Sequence, residues 1–226
     1  MQLGKLGVWV SMDSMTAAAA AAFAKRVEEW GYATLWIPES RGRNALVHSS
    51  WLLANTQRLI VATGIANIYA RDPMAMASGQ RGLNEQSGGR FLLGVGVSHR
   101  PMVQGLRGHT YGKPVATMRA YLEAMREAPY QAPMPSEKPP TVVAALGPKM
   151  MALSSKLADG AHPYNTTPEH TAKARDPRPR QAVVPGSLGA ARDRPGNGPA
   201  CGARGALPLS AARELRQQLA PRRLRR

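Results

Sequence analysis

Apolar and polar positions alternate in blocks along residues 1–175. Short runs rich in Val, Ile, Leu and small residues are each followed by a longer stretch that carries charged residues on one face. The short continuous runs indicate buried strands, and the longer amphipathic stretches indicate helices. The predicted strands cover residues 6–10, 34–37, 59–65, 91–97, 141–146 and, as a shorter sixth, 161–165.

Helix start and stop signals agree with this division. Thr16 and Asp72-Pro73 are suited to begin helices, and Gly31 and Gly88-Gly89 are suited to end them. A loop over 98–113 and a proline-rich connector separate the later elements. The predicted helices cover residues 17–30, 44–57, 73 to near 88, 114–127 and 148–159, with a last one that starts near 167.

The order is a strand followed by a helix, repeated five or six times. Nearly continuous apolar strands separated by helices predict a parallel sheet that is covered on both faces. Two architectures fit this α/β pattern. One is an open doubly wound sheet, and the other is a (β/α)8 barrel that lacks its last units.

The composition changes near Arg175. Residues 1–175 contain all 12 aromatic residues, all 11 methionines and all 5 histidines, whereas residues 176–226 contain none of these and hold 11 Arg, 9 Ala, 7 Pro and 6 Gly. Such a segment lacks the large apolar side chains that build a core. We therefore predict a folded domain over 1–175 and a disordered tail, rich in Arg, Pro, Gly and Ala, over 176–226.

The formal net charge of +16 is shared equally by these two parts of the chain. The arginine-rich tail allows one non-enzymatic interpretation, a protein that binds nucleic acid through a basic tail. We rank it lower and predict no nucleic-acid partner, because the tail has no lysine and no aromatic residue that stacks on bases.

Other function classes are disfavoured by what the sequence lacks. The single cysteine, Cys201, rules out a disulfide framework or a thiolate metal site within one chain, and no metal-ligand spacing of His, Asp or Glu occurs. The start of the chain has no signal-peptide pattern, and the apolar run at 17–22 is short and followed at once by charges. We predict a cytoplasmic protein with no membrane partner and no metal.

Two predicted loops at the carboxyl ends of strands carry polar side chains, and such loops hold the functional residues of α/β enzymes. Glu39 follows the second strand and could act as acid, base or ligand anchor; the alternative is a solvated turn or an ion pair with Arg41 or Arg43. Asn67 and Tyr69 follow the third strand and offer an amide and an aromatic face, or they form an ordinary loop.

Two further loops are rich in glycine. Gly94 and Gly96 fit a strand end at which a cofactor approaches the backbone; a dinucleotide fingerprint is disfavoured because its third glycine position is His99. His99 is a candidate proton donor, as is His109, with a surface hydrogen bond as the alternative. Gly147 opens a helix whose N-terminal amides could hold an anion or a ring carbonyl, or it forms a tight turn.

Four segments spread over residues 1–175 resemble the luciferase-like flavin and deazaflavin oxidoreductases, in particular the branch that depends on coenzyme F420. They are Gly31-Tyr-Ala-Thr-Leu-Trp-Ile-Pro-Glu39, Ala62-Thr-Gly-Ile-Ala-Asn67, Arg90-Phe-Leu-Leu-Gly-Val-Gly-Val-Ser-His99 and Asp159-Gly-Ala-His-Pro-Tyr164. The resemblance implies a (β/α)8 TIM barrel, incomplete here with about six βα units. It also implies hydride transfer with coenzyme F420 on a small organic substrate, or, in the FMN branch, monooxygenation.

The resemblance assigns site residues at the strand ends. It implies a non-prolyl cis peptide near Ala66-Asn67 that backs the ring, and hydrogen bonds from Val97, Ser98 and His99. Leu146, Gly147 and Pro148 would cradle the edge of the ring or the ribityl chain, and Glu39 would supply an acid or a ligand contact. With His99 as the candidate proton donor, Glu39 and His99 are the predicted catalytic residues.

The resemblance stops at the tail, where family members continue with two more strands. We expect that the tail arose by truncation or a frameshift, that the open edges of strands 1 and 6 make the chain marginally stable, and that the enzyme is inactive if its site is incomplete. The resemblance leaves a homodimer open.

Overall fold

The computed structural model describes residues 1–175 and 182–183. Eight strands are present in this part of the chain. Their bounds are β1 Gly7–Trp9, β2 Thr34–Ile37, β3 Ile60–Thr63, β4 Ala66–Asn67, β5 Phe91–Gly96, β6 Thr141–Val143, β7 Gly160–Ala161 and β8 Ala182–Val183.

Six α-helices and one π-helix connect the strands in the described residues. They are α1 Ala17–Glu29, α2 Ala45–Ala54, α3 Pro73–Ser87, the π-helix Pro101–Leu106, α4 Pro114–Glu127, α5 Pro148–Leu157 and α6 Pro168–Arg175. The Thr16 hydroxyl accepts the amide of Ala19, and the Asp72 carboxylate accepts the amide of Ala75. These caps confirm the start signals in the sequence.

All the strand pairs in the described residues are parallel, and their spatial order is β1-β2-β3-β5-β6-β7-β8, with β4 paired to β5. Apart from β4, each strand neighbours the next in sequence, with a helix between the two. An open doubly wound sheet reverses its strand order partway, whereas a barrel does not. The order therefore confirms the barrel architecture, with six strand-helix units in this part of the chain.

The structure differs from the predicted elements at several places. The loop predicted over 98–113 contains the π-helix, and the third strand, predicted over 59–65, ends at Thr63 and is followed by a separate strand, β4. The sixth strand, predicted over 161–165, is only Gly160–Ala161. In addition, Ala182 and Val183 pair with Gly160 and Ala161. The expectation that the sixth strand has an open edge was therefore wrong, because two residues suffice to pair with a strand as short as β7. The remainder of the predicted disordered tail lies outside the described residues.

The inside of the sheet is filled by one rung of side chains from neighbouring strands. Trp9 pairs in register with Trp36, Trp36 with Ala62, and Ala62 with Leu92. Except for Trp9, which is half-buried, these residues are buried and belong to one apolar cluster. Trp9 and Trp36 therefore contribute to the core, whereas Trp51 on α2 is 44% exposed. The rung closes the space beneath the carboxyl ends of the strands.

Side chains also join each unit to the next. The Glu28 carboxylate at the end of α1 accepts the amides of Gln57, Arg58 and Leu59, which lead into β3. Burial alone would raise the pKa of Glu28, but these backbone donors together hold it below its usual value. The Arg90 guanidinium donates to the carbonyl oxygens of Leu53 and Leu59. These bonds fix the amino ends of β3 and β5.

Candidate functional site

The carboxyl ends of the parallel strands form an open mouth with apolar side chains at its rim. Leu146 follows β6 and is 57% exposed, and Tyr164 follows β7 and is 37% exposed. Ile65 and Val97 are half-buried at the ends of β3 and β5. Large apolar side chains exposed at a concave face are typical of ligand sites, so this mouth is the candidate site.

The segment between β3 and β4 is a rigid wall of this mouth. The peptide bond Gly64–Ile65 is cis, so the cis peptide implied near Ala66-Asn67 lies just before Ala66. The Gly64 carbonyl oxygen accepts the Trp9 indole N–H at 3.0 Å, and the Gly64 amide donates to Ile37 at 2.8 Å. The Ile65 carbonyl oxygen accepts the amide of Glu39 at 3.1 Å. Bonds from two neighbouring strands therefore hold this wall in place.

The carboxylate of Glu39 is buried and fully engaged. Its side chain is 5% exposed and forms an ion pair with Arg71. One oxygen also accepts the amide of Ala45 at 3.2 Å, and the other accepts the amide of Asn67 at 2.8 Å. The partner is Arg71 rather than Arg41 or Arg43, which the sequence suggested. Glu39 thus connects the start of α2 to β4, an arrangement that favours positioning over proton transfer.

Asn67 and Tyr69 shape the next loop. The Asn67 side chain is buried and its amide oxygen accepts the backbone amide of Tyr69 at 2.9 Å. The Tyr69 ring stacks on Tyr111 with centroids 5.8 Å apart, and its hydroxyl accepts the amide of Gly112. The Asn67 side-chain amide is bonded within its own loop, as the ordinary-loop interpretation predicts. The aromatic face of Tyr69 lies against Tyr111, in the loop after β5.

The glycines of β5 make room for neighbouring strands rather than for a ligand. A Cβ at Gly94 would lie 2.1 Å from the Thr63 carbonyl oxygen, and a Cβ at Gly96 would lie 2.7 Å from the Ile65 side chain. The Thr63 hydroxyl donates to the Gly94 carbonyl oxygen and accepts the Gly94 amide. The expectation that these glycines let a cofactor approach the backbone is wrong, because protein atoms fill that space.

Ser98 and His99 lie where β5 gives way to the π-helix. Ser98 has a φ of 56°, and its carbonyl oxygen accepts the Tyr111 hydroxyl at 3.3 Å. Burial raises the pKa of Tyr111, so this hydroxyl stays protonated. The His99 carbonyl oxygen accepts the amides of Met102 and Val103, while its side chain is exposed. The backbone of this loop is therefore ordered, and the imidazole of His99 faces solvent.

Leu146, Gly147 and Pro148 form the opposite wall. All three are exposed, and no side chain caps the first turn of α5, which begins at Pro148. The carbonyl oxygen of Leu146 accepts a hydrogen bond from Nε2 of His170 at 2.8 Å. Nothing lies within 4 Å of a Cβ at Gly147. The sequence prediction of a glycine at an open helix start is confirmed.

An aromatic cluster lies around Gly64, the first residue of the Gly64–Asn67 wall. The His162 ring stacks on Trp36 with centroids 4.5 Å apart and an angle of 1°, and Trp9 lies 5.3 Å from Tyr164. Sequence reasoning missed His162, Tyr164 and Arg71 as site residues. The segment Asp159-Gly-Ala-His-Pro-Tyr164 carried the family resemblance, and this was the available signal for two of them; Arg71 had none.

The described residues contain neither a cluster of metal ligands nor a membrane-spanning helix. They contain no group of three or more His, Cys, Asp or Glu side chains arranged to hold a metal ion. Within the same residues, no helix has the length and apolar character needed to cross a membrane.

Comparisons with known proteins agree on one family. The model of the luciferase-like monooxygenase family matches residues 1–220, well beyond Arg175. A Mycobacterium tuberculosis protein is 31% identical over 74% of this chain and 56% of its own length. That protein is named by inference as a coenzyme F420-dependent oxidoreductase. A 5,10-methylenetetrahydromethanopterin reductase of Methanolobus tindarius is 28% identical over 61% of this chain and 47% of its own length.

A solved structure has the same fold. An F420-dependent secondary alcohol dehydrogenase, in complex with an F420-acetone adduct, superposes with a TM-score of 0.69 at 15% identity, over 81% of this chain and 68% of the other. The chain spans about half the length of the curated relatives it matches.

Proposed function

The chain belongs to the luciferase-like monooxygenase family, and from that membership we propose that its mouth binds coenzyme F420 and catalyses hydride transfer with a small organic substrate. The observation that carries the proposal is the pair of walls at the carboxyl ends of the strands. One wall, Gly64–Asn67, is held rigidly by hydrogen bonds, and the other, Leu146–Pro148, exposes an apolar side chain and an uncapped helix start. This arrangement suits a flat, polar-edged ring.

The residues present fit such a ring by their chemistry. The half-buried side chains of Ile65 and Val97 and the exposed side chain of Leu146 supply apolar contact. The first turn of α5 supplies the Lys149 amide as a hydrogen-bond donor for a carbonyl or an anion, since Pro148 has no N–H and the Met150 amide already donates to Gly147. The fold positions the cofactor, and when bound, F420 supplies a carbon centre that accepts or donates a hydride.

We assign roles to the residues on this basis. Ala66 and Asn67 back the ring, Val97 and Ser98 line its side, and Leu146, Gly147 and Pro148 cover its edge. His99 is the proton donor, since its imidazole is exposed at the mouth. Glu39 is a positioning residue, because its carboxylate is occupied by Arg71 and two backbone amides.

FMN is the alternative cofactor, and with it the reaction is a monooxygenation, as the family's name indicates. Many barrels bind phosphate in the loops after the seventh and eighth strands; residues 184–226 lie outside the part of the chain that the structure describes. A cytoplasmic location, a homodimer and a domain boundary at Arg175 stay predictions.

The test is a titration of the full chain with F420 and, separately, with FMN, followed by the fluorescence of each cofactor. We expect saturable quenching by at least one of them. Leu146→Asp should weaken this binding by about 10-fold or more, because the variant buries a charge against the ring.

Leu6→Asp is the matched control, since Leu6 is 49% exposed and lies just before β1, at the opposite, amino end of the strands. It should bind like the unchanged protein. Absence of quenching by either cofactor up to about 1 mM, the upper end of ordinary enzyme affinities, would contradict the proposal. Equal weakening by both variants would contradict the assignment of Leu146.

A further inference from the structure

A cationic cleft opens beside Glu39, at the same end of the sheet as the candidate site. Three loops form it, those after β2, β4 and β5, and its volume is about 400 Å³. Four arginines line it: Arg41, Arg43, Arg71 and Arg107. We propose that this cleft binds an anionic oxygen group, a carboxylate or a phosphate, carried by the substrate or by the cofactor.

The charge of the cleft is unbalanced. Glu39 is the one carboxylate among its lining residues, and it is already paired with Arg71. Asp13, outside the cleft, accepts the backbone amide of Arg43 rather than its guanidinium. Guanidinium groups stay protonated in proteins, so three positive charges in the cleft face no carboxylate of its lining.

Two of the arginines are occupied by the protein. Arg43 donates to the carbonyl oxygens of Met12, at 2.6 Å, and Met15. Arg71 donates to Glu39 and, at 3.7 Å, to the sulfur of Met76. These two side chains therefore form the fixed base of the cleft and contribute mainly their charge.

The other two have donors to offer. Arg107 makes one long bond, 3.4 Å, to the Ser40 carbonyl oxygen, and its buried Nε has no partner among the described residues. Arg41 is exposed and makes no hydrogen bond or ion pair with any described residue. Each guanidinium carries five N–H groups in a planar fork that matches two oxygens of a carboxylate or phosphate. An anion between them would satisfy the unpaired nitrogen.

The position of the cleft links it to the proposed reaction without resting on the identity of the cofactor. The Glu39 carboxylate holds the amide of Asn67 on one side and lines the cleft on the other. An anion bound there would lie next to the Gly64–Asn67 wall. Such a group fixes the orientation of whichever molecule carries it.

The test uses isothermal titration calorimetry of the full chain with inorganic phosphate and with succinate, at constant low ionic strength. We expect saturable binding of at least one probe. Arg107→Gln and Arg41→Gln should each weaken it by about 10-fold or more, because each removes a charge-assisted fork. Arg126→Gln, at an exposed position on α4, should leave it unchanged. Absence of binding, or equal binding by all variants, would overturn the proposal.

Arg41→Gln keeps the test decisive if Arg107→Gln fails to fold, since the exposed Arg41 side chain has no partner in the described residues to lose. A comparison of FMN with riboflavin then identifies the source of the anion. If Arg41→Gln weakens the binding of FMN but not of riboflavin, the cofactor phosphate occupies the cleft. If it weakens phosphate or succinate alone, the anion belongs to the substrate. Loss of cofactor binding with intact phosphate binding would contradict only the proposed function.

Discussion

The two walls of the mouth rest on very different parts of the sheet. Strands β2 and β3 pair over four positions, and all eight of their residues are buried. Strand β7 pairs over two positions with β6 and over two with β8. The Gly64–Asn67 wall therefore stands on a complete piece of core, whereas Leu146–Pro148 stands on short strands. The comparison teaches that the first wall is preformed, and that ligand binding should stabilise mainly the second.

The largest expected effect comes from removing one carboxylate from each of the two parts of the sheet, the β2–β3 part and the β6–β7 part. Glu39→Gln should destabilise the protein by about 3 to 5 kcal/mol, because it breaks a buried ion pair and leaves Arg71 uncompensated. Asp159→Asn, on the other side, should cost about 1 kcal/mol, since Asp159 is 43% exposed and accepts one amide, that of Thr141. Urea denaturation measures both, and equal losses would break the comparison.

Glycine substitutions give the next largest contrast. Gly94→Ala should cost about 2 to 3 kcal/mol, because its Cβ would meet the Thr63 carbonyl oxygen at 2.1 Å. Gly147→Ala should cost about 1 kcal/mol or less, since its Cβ meets nothing within 4 Å and only the preference for glycine over alanine at the N-cap of α5 is lost. The midpoint of thermal unfolding measures the loss of stability in each variant. An unchanged midpoint in Gly94→Ala would show that β3 and β5 have room for a Cβ between them.

The stacked pair of Trp36 and His162 tests whether the two sides are coupled. Trp36 belongs to β2 and His162 follows β7, and their rings are 4.5 Å apart. A double-mutant cycle with Trp36→Leu and His162→Leu should give a coupling free energy of about 1 kcal/mol. Additive losses would mean that the sides are independent in spite of the contact.

The smallest expected effect is on the pH dependence of stability, and it concerns His48 on α2, beside the β2–β3 part of the sheet. Burial, with the nearby charge of Arg43, lowers the pKa of His48, and Asp13 opposes this in part. The unfolded chain then binds a proton more readily than the folded one, so this contribution to stability is present above about pH 6.5 and lost as pH falls below it. Between about pH 7.5 and 5.5, His48→Gln should lose less stability than the unchanged protein. Parallel losses would contradict this assignment.

Local signals in the sequence predicted most elements of the fold. The strand Thr34–Ile37 and the helix Pro114–Glu127 have the predicted bounds, because continuous apolar runs and a proline at the helix start are local features. The π-helix was missed, since Pro101 and Gly105 read as loop residues. Strand β8 was missed because two residues carry no periodicity.

The site was less accessible to sequence reasoning, because it depends on contacts between distant residues. Glu39 was recognised as a polar residue at a strand end, but its partner Arg71 lies 32 residues away and nothing local selects it over Arg41. The space beside Gly94 is filled by the Thr63 carbonyl oxygen of the neighbouring strand. The sequence alone cannot distinguish a glycine that makes room for a ligand from one that makes room for another strand. The convergence of four arginines has the same origin, since they come from three loops.

The spacing of the bonds between units has a consequence for how the chain folds. Glu28 reaches Leu59 across 31 residues, Glu39 reaches Asn67 across 28, and Thr63 reaches Gly94 across 31. Each of these bonds spans one strand-helix unit, so each can form before any later part of the chain is present. A nascent chain can therefore secure each unit as soon as the following strand leaves the ribosome, and nucleation should begin at the amino-terminal units.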